Sequence, residues 1–305
     1  MSAAGTTRPA YLAEVLTSAG SAALRRKVMI VHRRLLKSYG EPEPPTRRGD
    51  ALGELIACIL SQHTSDLNSG RAFEALRARF PTWELVRDAP ARAVVAAIRP
   101  SGLANQKGPR IQAVLRAINR DAPPRVLGVG DFTLGRLRPP TAVAGRHSRA
   151  HGNAGGRKPA ASQTRNVLDI NFLADWPVPE AKAWLQSLHG VGPKTAAITL
   201  LFGLGRPAFP VDTHVYRVAG RLGLIPRQRS KARKSSASSA AVQKSGELLP
   251  ADKAHDALEA IVPPRLFFPF HMNLVRHGRK ICQARLPKCS LCPRTDVCDY
   301  YYFAG

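Results

Sequence analysis

Apolar residues recur at helical spacing along most of this chain. Leu24, Val28, Val31, Leu35 and Leu36 mark one face of a helix over residues 22–40, closed by Gly40. Pro42, Pro44 and Pro45 punctuate a linker. Asp50 then offers an N-cap oxygen to a helix whose Leu52, Leu55, Ile56, Ile59 and Leu60 form an apolar stripe. Helical patterns continue through residues 71–79, 82–88, 91–98 and 107–119, with Pro and Gly between them. Strand-like alternation is nearly absent. The expected fold class is all-α, with short connections outside two low-complexity stretches.

Residues 188–212 hold the densest chemistry. Val178-Pro179-Glu180 opens a helix with an apolar face of Ala181, Trp184, Leu185 and Leu188. Gly190 and Gly192 are expected to end it at positive φ. Pro193 suits the first position of the next helix, where its missing N–H costs nothing. The turn Leu188-His189-Gly190-Val191-Gly192 would present backbone N–H groups at a helix N-terminus, a ready phosphate site. Such turns are also plain packing devices. Lys194 falls in the first turn of the second helix, whose partial positive charge pushes an amine toward its neutral, nucleophilic form. Lysines tuned this way form Schiff bases; an ordinary solvated lysine touching a phosphate is the alternative. Asp212 follows Pro210-Val211 and precedes Thr213, and reads as an N-cap that can also hold its carboxylate toward a cavity.

Near the end of the chain Cys282, Cys289, Cys292 and Cys298 are spaced C-x6-C-x2-C-x5-C. Four thiolates converging on one site suit an iron–sulfur cluster. Zinc accepts the same donors but favours two close pairs, and here only Cys289 and Cys292 make one. Disulfides are a third reading, disfavoured where no secretory segment is visible. Arg285 and Lys288 lie on the loop between the first two cysteines, either offered to a phosphate backbone or simply solvated. Cys58 sits in an apolar helical run and is read as core.

Charge sharpens the picture. With 46 Lys+Arg against 21 Asp+Glu the chain carries a formal +25, the footprint of a polyanion partner. Residues 122–165 and 227–245, rich in Arg, Lys, Gly, Pro, Ser and Ala, are expected to be disordered. Removing their +7 and +6 leaves +12 on the rest, so the folded part is itself basic. Residues 1–21 read as a disordered arm without a secretory apolar stretch, and no run of eighteen apolar residues occurs. A cytoplasmic, nucleoid-associated bacterial protein is the simplest expectation, ahead of one with an organellar transit peptide.

The motifs L-H-G-V-G-P-K-T-A and V-D-T-H-V-Y-R-V resemble those of the helix-hairpin-helix, Gly-Pro-Asp superfamily of DNA glycosylases, and within it the endonuclease III branch. The resemblance covers roughly residues 25–120 and 166–302. It implies a six-helix barrel over 51–206 and an iron–sulfur domain built from 22–50 and 207–305, with DNA across the cleft between them. Lys194 and Asp212 would be the catalytic pair, and the four cysteines would hold a 4Fe–4S cluster. Leu188, His189, Gly190, Val191, Gly192, Arg285 and Lys288 would contact DNA. Gln62 and His63 would fill the gap left by an everted nucleotide; otherwise they are solvated residues at a helix C-terminus. The turn over residues 102–107 matches a family turn and is read as architectural.

The implied function is base excision on double-stranded DNA by a monomer. It would remove damaged, oxidised pyrimidines and then cleave the abasic site by β-elimination through a lysine Schiff base. Two rivals remain. A monofunctional mismatch glycosylase lacks lysine at the position of Lys194 and carries an added C-terminal domain, whereas this chain stops at Gly305. A non-catalytic DNA-binding iron–sulfur protein would have no use for Lys194 and Asp212 together.

Overall fold

A computed structural model describes residues 18–43, 45, 49–122, 168–228, 247–293 and 295–303. The first helix, α1 (Ser18–Tyr39), closes at Gly40, whose φ of 73° lets its N–H return to Leu36 O at 2.8 Å. Helix α2 (Ala51–Ser61) starts where the Asp50 carboxylate accepts Gly53 N–H at 2.8 Å. Helices α3 (Asp66–Arg79) and α4 (Trp83–Asp88) are capped in the same way by Ser65 and Thr82. The Ser65 cap starts α3 five residues before the apolar pattern does. Helices α5 (Ala91–Ala97) and α6 (Ala104–Asp121) follow, and α6 takes Pro109 into its early turns.

After the described chain resumes come α7 (Val178–Ser187) and α8 (Pro193–Ile198), the latter widening into a π-helical turn over Thr199–Gly203. Then follow α9 (Thr213–Arg221), α10 (Ala251–Ile261), α11 (Phe267–Lys280) and the short α12 (Asp299–Phe303). The chain is all-α apart from one two-residue ladder among the described residues. There β1 (Arg227–Gln228) pairs antiparallel with β2 (Glu247–Leu248), Arg227 opposite Leu248. Arg227 and Gln228, expected to be disordered, are therefore ordered by backbone pairing. Residues 18–21, expected in the disordered arm, form the first turn of α1, and Ala122, expected to begin the first disordered stretch, caps the end of α6. The rest of the disorder expectations, at residues 1–17, 123–165 and 229–245, lie outside the described residues.

Buried side chains sort into two clusters. One joins Leu52, Leu55, Ile56, Ile59 and Leu60 of α2 to Leu76, Val94, Ile111, Leu115, Leu185 and Leu200. The other joins Val28, Val31 and Leu35 of α1 to Phe209, Val215, Leu258, Phe270 and Leu274. The π-helical turn sits where they meet, since Leu200 enters the first cluster and Leu201 the second. Its last residue must be glycine: a Cβ on Gly203 would lie 2.7 Å from Ala51 Cα at the start of α2. Helix α8 is thereby pressed between the two cores, with its N-terminus at their edge.

Candidate active site and cysteine pocket

The hairpin forms between α7 and α8, with Gly192 as N-cap and Pro193 at the first helical position. Gly190 has φ 78°, as expected, and a Cβ there would strike Arg110 Cδ at 2.6 Å. Gly192 differs. Its φ of −93° and ψ of 179° are extended values open to any residue, and nothing lies within 4 Å of the Cβ it lacks. Leu188 and Val191 turn their side chains into the first core, and Val191 N–H is used by Leu188 O at 3.0 Å. The surface of the turn is thus His189, Gly190 and Gly192.

Lys194 is exposed in the first turn of α8, while its neighbour Thr195 is buried and accepts a hydrogen bond from the Cys58 thiol at 3.6 Å. Burial pushes the Cys58 thiol up, so it stays protonated. Asp212 is half-buried and caps α9, its Oδ1 accepting Val215 N–H at 2.6 Å. The buried His271 lies in the electrostatic field of both groups. Burial lowers its pKa; Asp212 opposes that shift and Lys194 adds to it. One turn beyond Lys194, Ile198 helps to line a cavity of about 260 Å³ with Cys58, Ser61, Ser69, Phe73 and the carboxylate-bearing Glu54 and Asp66.

Gln62 and His63 follow α2. Gln62 is half-buried, with its Oε1 accepting from Arg110 Nη1 at 2.9 Å; His63 is exposed at φ 54°. Leu103, 48% exposed just before α6, has φ 48°. Among the described residues these two are the only non-glycines with positive φ, a conformation that costs an L-residue roughly 1–3 kcal/mol. A buried lysine ties their loops together: Lys107 Nζ donates to Leu60 O at 2.8 Å and Ser101 O at 2.7 Å. Burial lowers its pKa, and the nearby Arg110 adds to the shift. The sequence reading of residues 102–107 as architecture did not single out Leu103 or Lys107, nor Arg110 just beyond that turn. The available signal was a leucine between Gly102 and Ala104, off the apolar stripe of α6.

Cys282, Cys289, Cys292 and Cys298 all line one pocket, walled by Val218, Leu222, Ile281 and Tyr301. Among the described residues no three His, Cys, Asp or Glu side chains are arranged to hold a metal ion. The donor set nevertheless suits a larger cationic cluster. Burial, then the neighbouring Cys282 and Cys292, push the Cys289 thiol up, and a bound cation removes that penalty by pairing with the thiolates. The loop from Cys282 is also held by arginines that sequence reasoning did not single out. Arg221 Nη1 donates to Gln283 O at 2.6 Å and to Cys282 Sγ at 3.3 Å, and Arg217 Nε to Cys282 O at 3.1 Å. Arg285 and Lys288 are exposed on it.

A glycine hairpin feeding an exposed lysine, followed by an aspartate-capped helix in an all-α chain, defines a helix-hairpin-helix protein of the Gly-Pro-Asp type. The chain belongs to the HhH-GPD superfamily of base excision DNA repair proteins, whose family model matches residues 56–242. It is 26% identical to endonuclease III of Thermotoga maritima over 84% of this chain and 86% of that protein. It is 34% identical to endonuclease III of Rickettsia conorii over 45% of this chain and 54% of that one. It is 28% identical to a DNA glycosylase-like protein of Arabidopsis thaliana over 78% of this chain and 59% of that one. The chain thus spans little more than half the length of the last two. In fold it is similar to a trapped endonuclease III–DNA covalent intermediate, with a TM-score of 0.59 at 20% identity over 91% of this chain and 97% of that one. It is equally similar to a thermostable thymine-DNA glycosylase, with a TM-score of 0.58 at 20% identity over 92% and 99%.

Proposed function

We propose that this protein is a DNA glycosylase with abasic-site lyase activity, acting as a monomer on damaged, oxidised pyrimidines in double-stranded DNA. The observation that carries the reading is the exposed Lys194 in the first turn of α8, just beyond the glycine hairpin, with the half-buried Asp212 capping α9 in the same family-matched stretch. Asp212 takes the amine proton, and the Lys194 Nζ lone pair bonds to the sugar C1′ while the C1′–N bond breaks toward the base. The departing base takes a second proton from Nζ; the sugar ring then opens as O4′ leaves C1′ and takes the proton held by Asp212, forming the protonated imine. Loss of a C2′ proton expels the 3′ phosphate and nicks the strand. A stacked base keeps C1′ out of reach, so the nucleotide must turn out of the helix first, at a cost of a few kcal/mol.

His63 and Leu103 fit the task of occupying the vacated space. Both are exposed and backbone-strained, and their loops are braced by Lys107. Gln62, held by Arg110, stands beside them. His189, Gly190 and Gly192 meet phosphates, with Leu188 and Val191 contributing backbone alone; open space at Gly192 lets a phosphate approach the main chain. Arg285 and Lys288 meet the backbone further along. Cys282, Cys289, Cys292 and Cys298 would hold a 4Fe–4S cluster, which supplies four iron–thiolate bonds cross-linking the loop that carries those two residues.

Borohydride trapping on a duplex with one abasic site tests the reading. Wild-type protein is expected to form a covalent adduct, and Lys194→Ala to form none while still binding the duplex. Strand nicking by Lys194→Ala at the wild-type rate would sink the lysine assignment.

A further inference from the structure

The stretch that delivers Asp212, residues 205–212, has no regular structure. Arg206 N–H, Ala208 N–H and Asp212 O find backbone partners, but Phe209 N–H, Phe209 O and Pro210 O have no ladder or helix to join, and Pro210 has no N–H to offer. Side chains from two helices take their place. His255 of α10 meets Phe209 O through Nδ1 at 3.0 Å, and His271 of α11 meets Pro210 O through Nδ1 at 3.0 Å. Glu259 of α10 accepts Phe209 N–H at 2.7 Å, and the same Oε1 accepts Lys182 Nζ of α7 at 2.5 Å. A carbonyl only accepts, so each imidazole carries its proton on Nδ1. Burial keeps both rings neutral, pushing His255 down to about 4 and His271 in the same direction. Two consecutive carbonyls and the N–H between Ala208 and Phe209 are thus gripped from separate helices, within three residues of the carboxylate.

We propose that His255, His271 and Glu259 are positioning residues that set Asp212 in register with Lys194, and that the Lys182–Glu259 ion pair ties this register to the helix leading into the hairpin. The inference rests on the catalytic reading of Lys194 and Asp212. Ordinary satisfaction of buried polar groups accounts for each hydrogen bond singly. It does not account for the link to α7, through which the lysine-bearing hairpin and the aspartate-bearing segment share one carboxylate oxygen. A site held loosely by its supporting residues loses rate before it loses affinity.

The test is single-turnover trapping on an abasic-site duplex, with affinity for that duplex measured in parallel. His271→Phe removes the donor; His271→Asn keeps one where Nδ1 stood. The clamp predicts that His271→Phe slows adduct formation on the order of ten- to a hundredfold with affinity held within about twofold. It predicts that His271→Asn recovers most of the rate. It also predicts that His271→Phe slows nothing further in an Asp212→Asn background, because both changes act through one group. An unchanged rate in folded His271→Phe, or slowing that multiplies with Asp212→Asn, overturns the clamp. If His271→Phe does not fold, Glu259→Gln carries the same comparisons. Lys194→Ala alongside separates the two layers. An adduct that survives it overturns the catalytic reading and the clamp together; an adduct lost in Lys194→Ala but formed normally by the clamp variants overturns the clamp alone.

Discussion

His255 makes folding depend on pH in a direction that can be worked out from its surroundings. Burial holds its pKa at about 4 against an ordinary value of 6.5. Above pH 6.5 the ring is neutral in both folded and unfolded chains, and its contribution is fully present. Between 6.5 and about 4 the unfolded chain takes up a proton that the folded chain refuses, so stability falls as pH falls, by up to about 3 kcal/mol from this group. His271, His214 and His32 are shifted the same way. The urea midpoint is expected to drop more between pH 7 and pH 4.5 in wild-type protein than in His255→Asn; equal drops would refute the account. Lys107 is buried too, and burial lowers its pKa, but its amine serves by donating to two carbonyls. Lys107→Met strands Leu60 O and Ser101 O, and thermal melting should show a loss of about 2–3 kcal/mol.

At the scale of elements, the hairpin's two glycines separate stability from binding. Gly190→Ala forces a side chain onto a φ of 78° and into Arg110, and should destabilise the fold by about 1–3 kcal/mol. Gly192→Ala meets neither obstacle, so its melting temperature should stay near wild type while DNA affinity drops as the new methyl occupies the phosphate's approach. Titration against a short duplex at fixed salt reads the difference, and unchanged affinity would remove Gly192 from the interface. The loops after α2 and before α6 behave as a unit through Lys107 and Arg110. Leu103→Ala should therefore leave the fold intact and slow base release from a lesion in duplex DNA more than from one in a single strand, where no gap needs filling.

Across the whole molecule, two cores meet at α8, and a surface ion pair between Asp66 of α3 and Arg279 of α11, 2.6 Å apart, also spans them. Both partners are more than half exposed, so the pair sets geometry more than it adds stability. A net charge of +25 makes DNA affinity fall steeply with salt. Deleting residues 229–245 should shrink both the affinity and the slope of its logarithm against salt; no change would mean those basic residues stay clear of DNA. If the four cysteines hold the proposed cluster, Cys292→Ser should lower iron and sulfide content and weaken duplex binding through the Arg285–Lys288 loop, while the Lys194 region stays folded. No helix among the described residues is long and apolar enough to cross a membrane.

Local chemistry was legible wherever one residue decides its own conformation. Asp50 and Asp212 cap helices because a carboxylate reaches an N–H three residues on, Pro193 opens α8 because it lacks a donor, and Gly190 turns left-handed because it lacks a Cβ. The all-α class followed from periodicity, and the cysteine spacing kept four thiols near one another. Gly192 shows the limit, since composition predicted a positive φ that the neighbouring cap position does not need. What remained closed to the sequence was set by contacts between residues far apart along it. Lys107 reaches Leu60 O only because α2 packs against α6, and nothing in the local pattern announces the positive φ of Leu103. His255, His271 and Glu259 reach the aspartate's segment only after α10 and α11 have packed around it. Helix and cap formation are settled within a turn or two by local hydrogen bonds. The positioning of one reactive group against another depends on which distant helices share a core, and that tertiary packing alone decided.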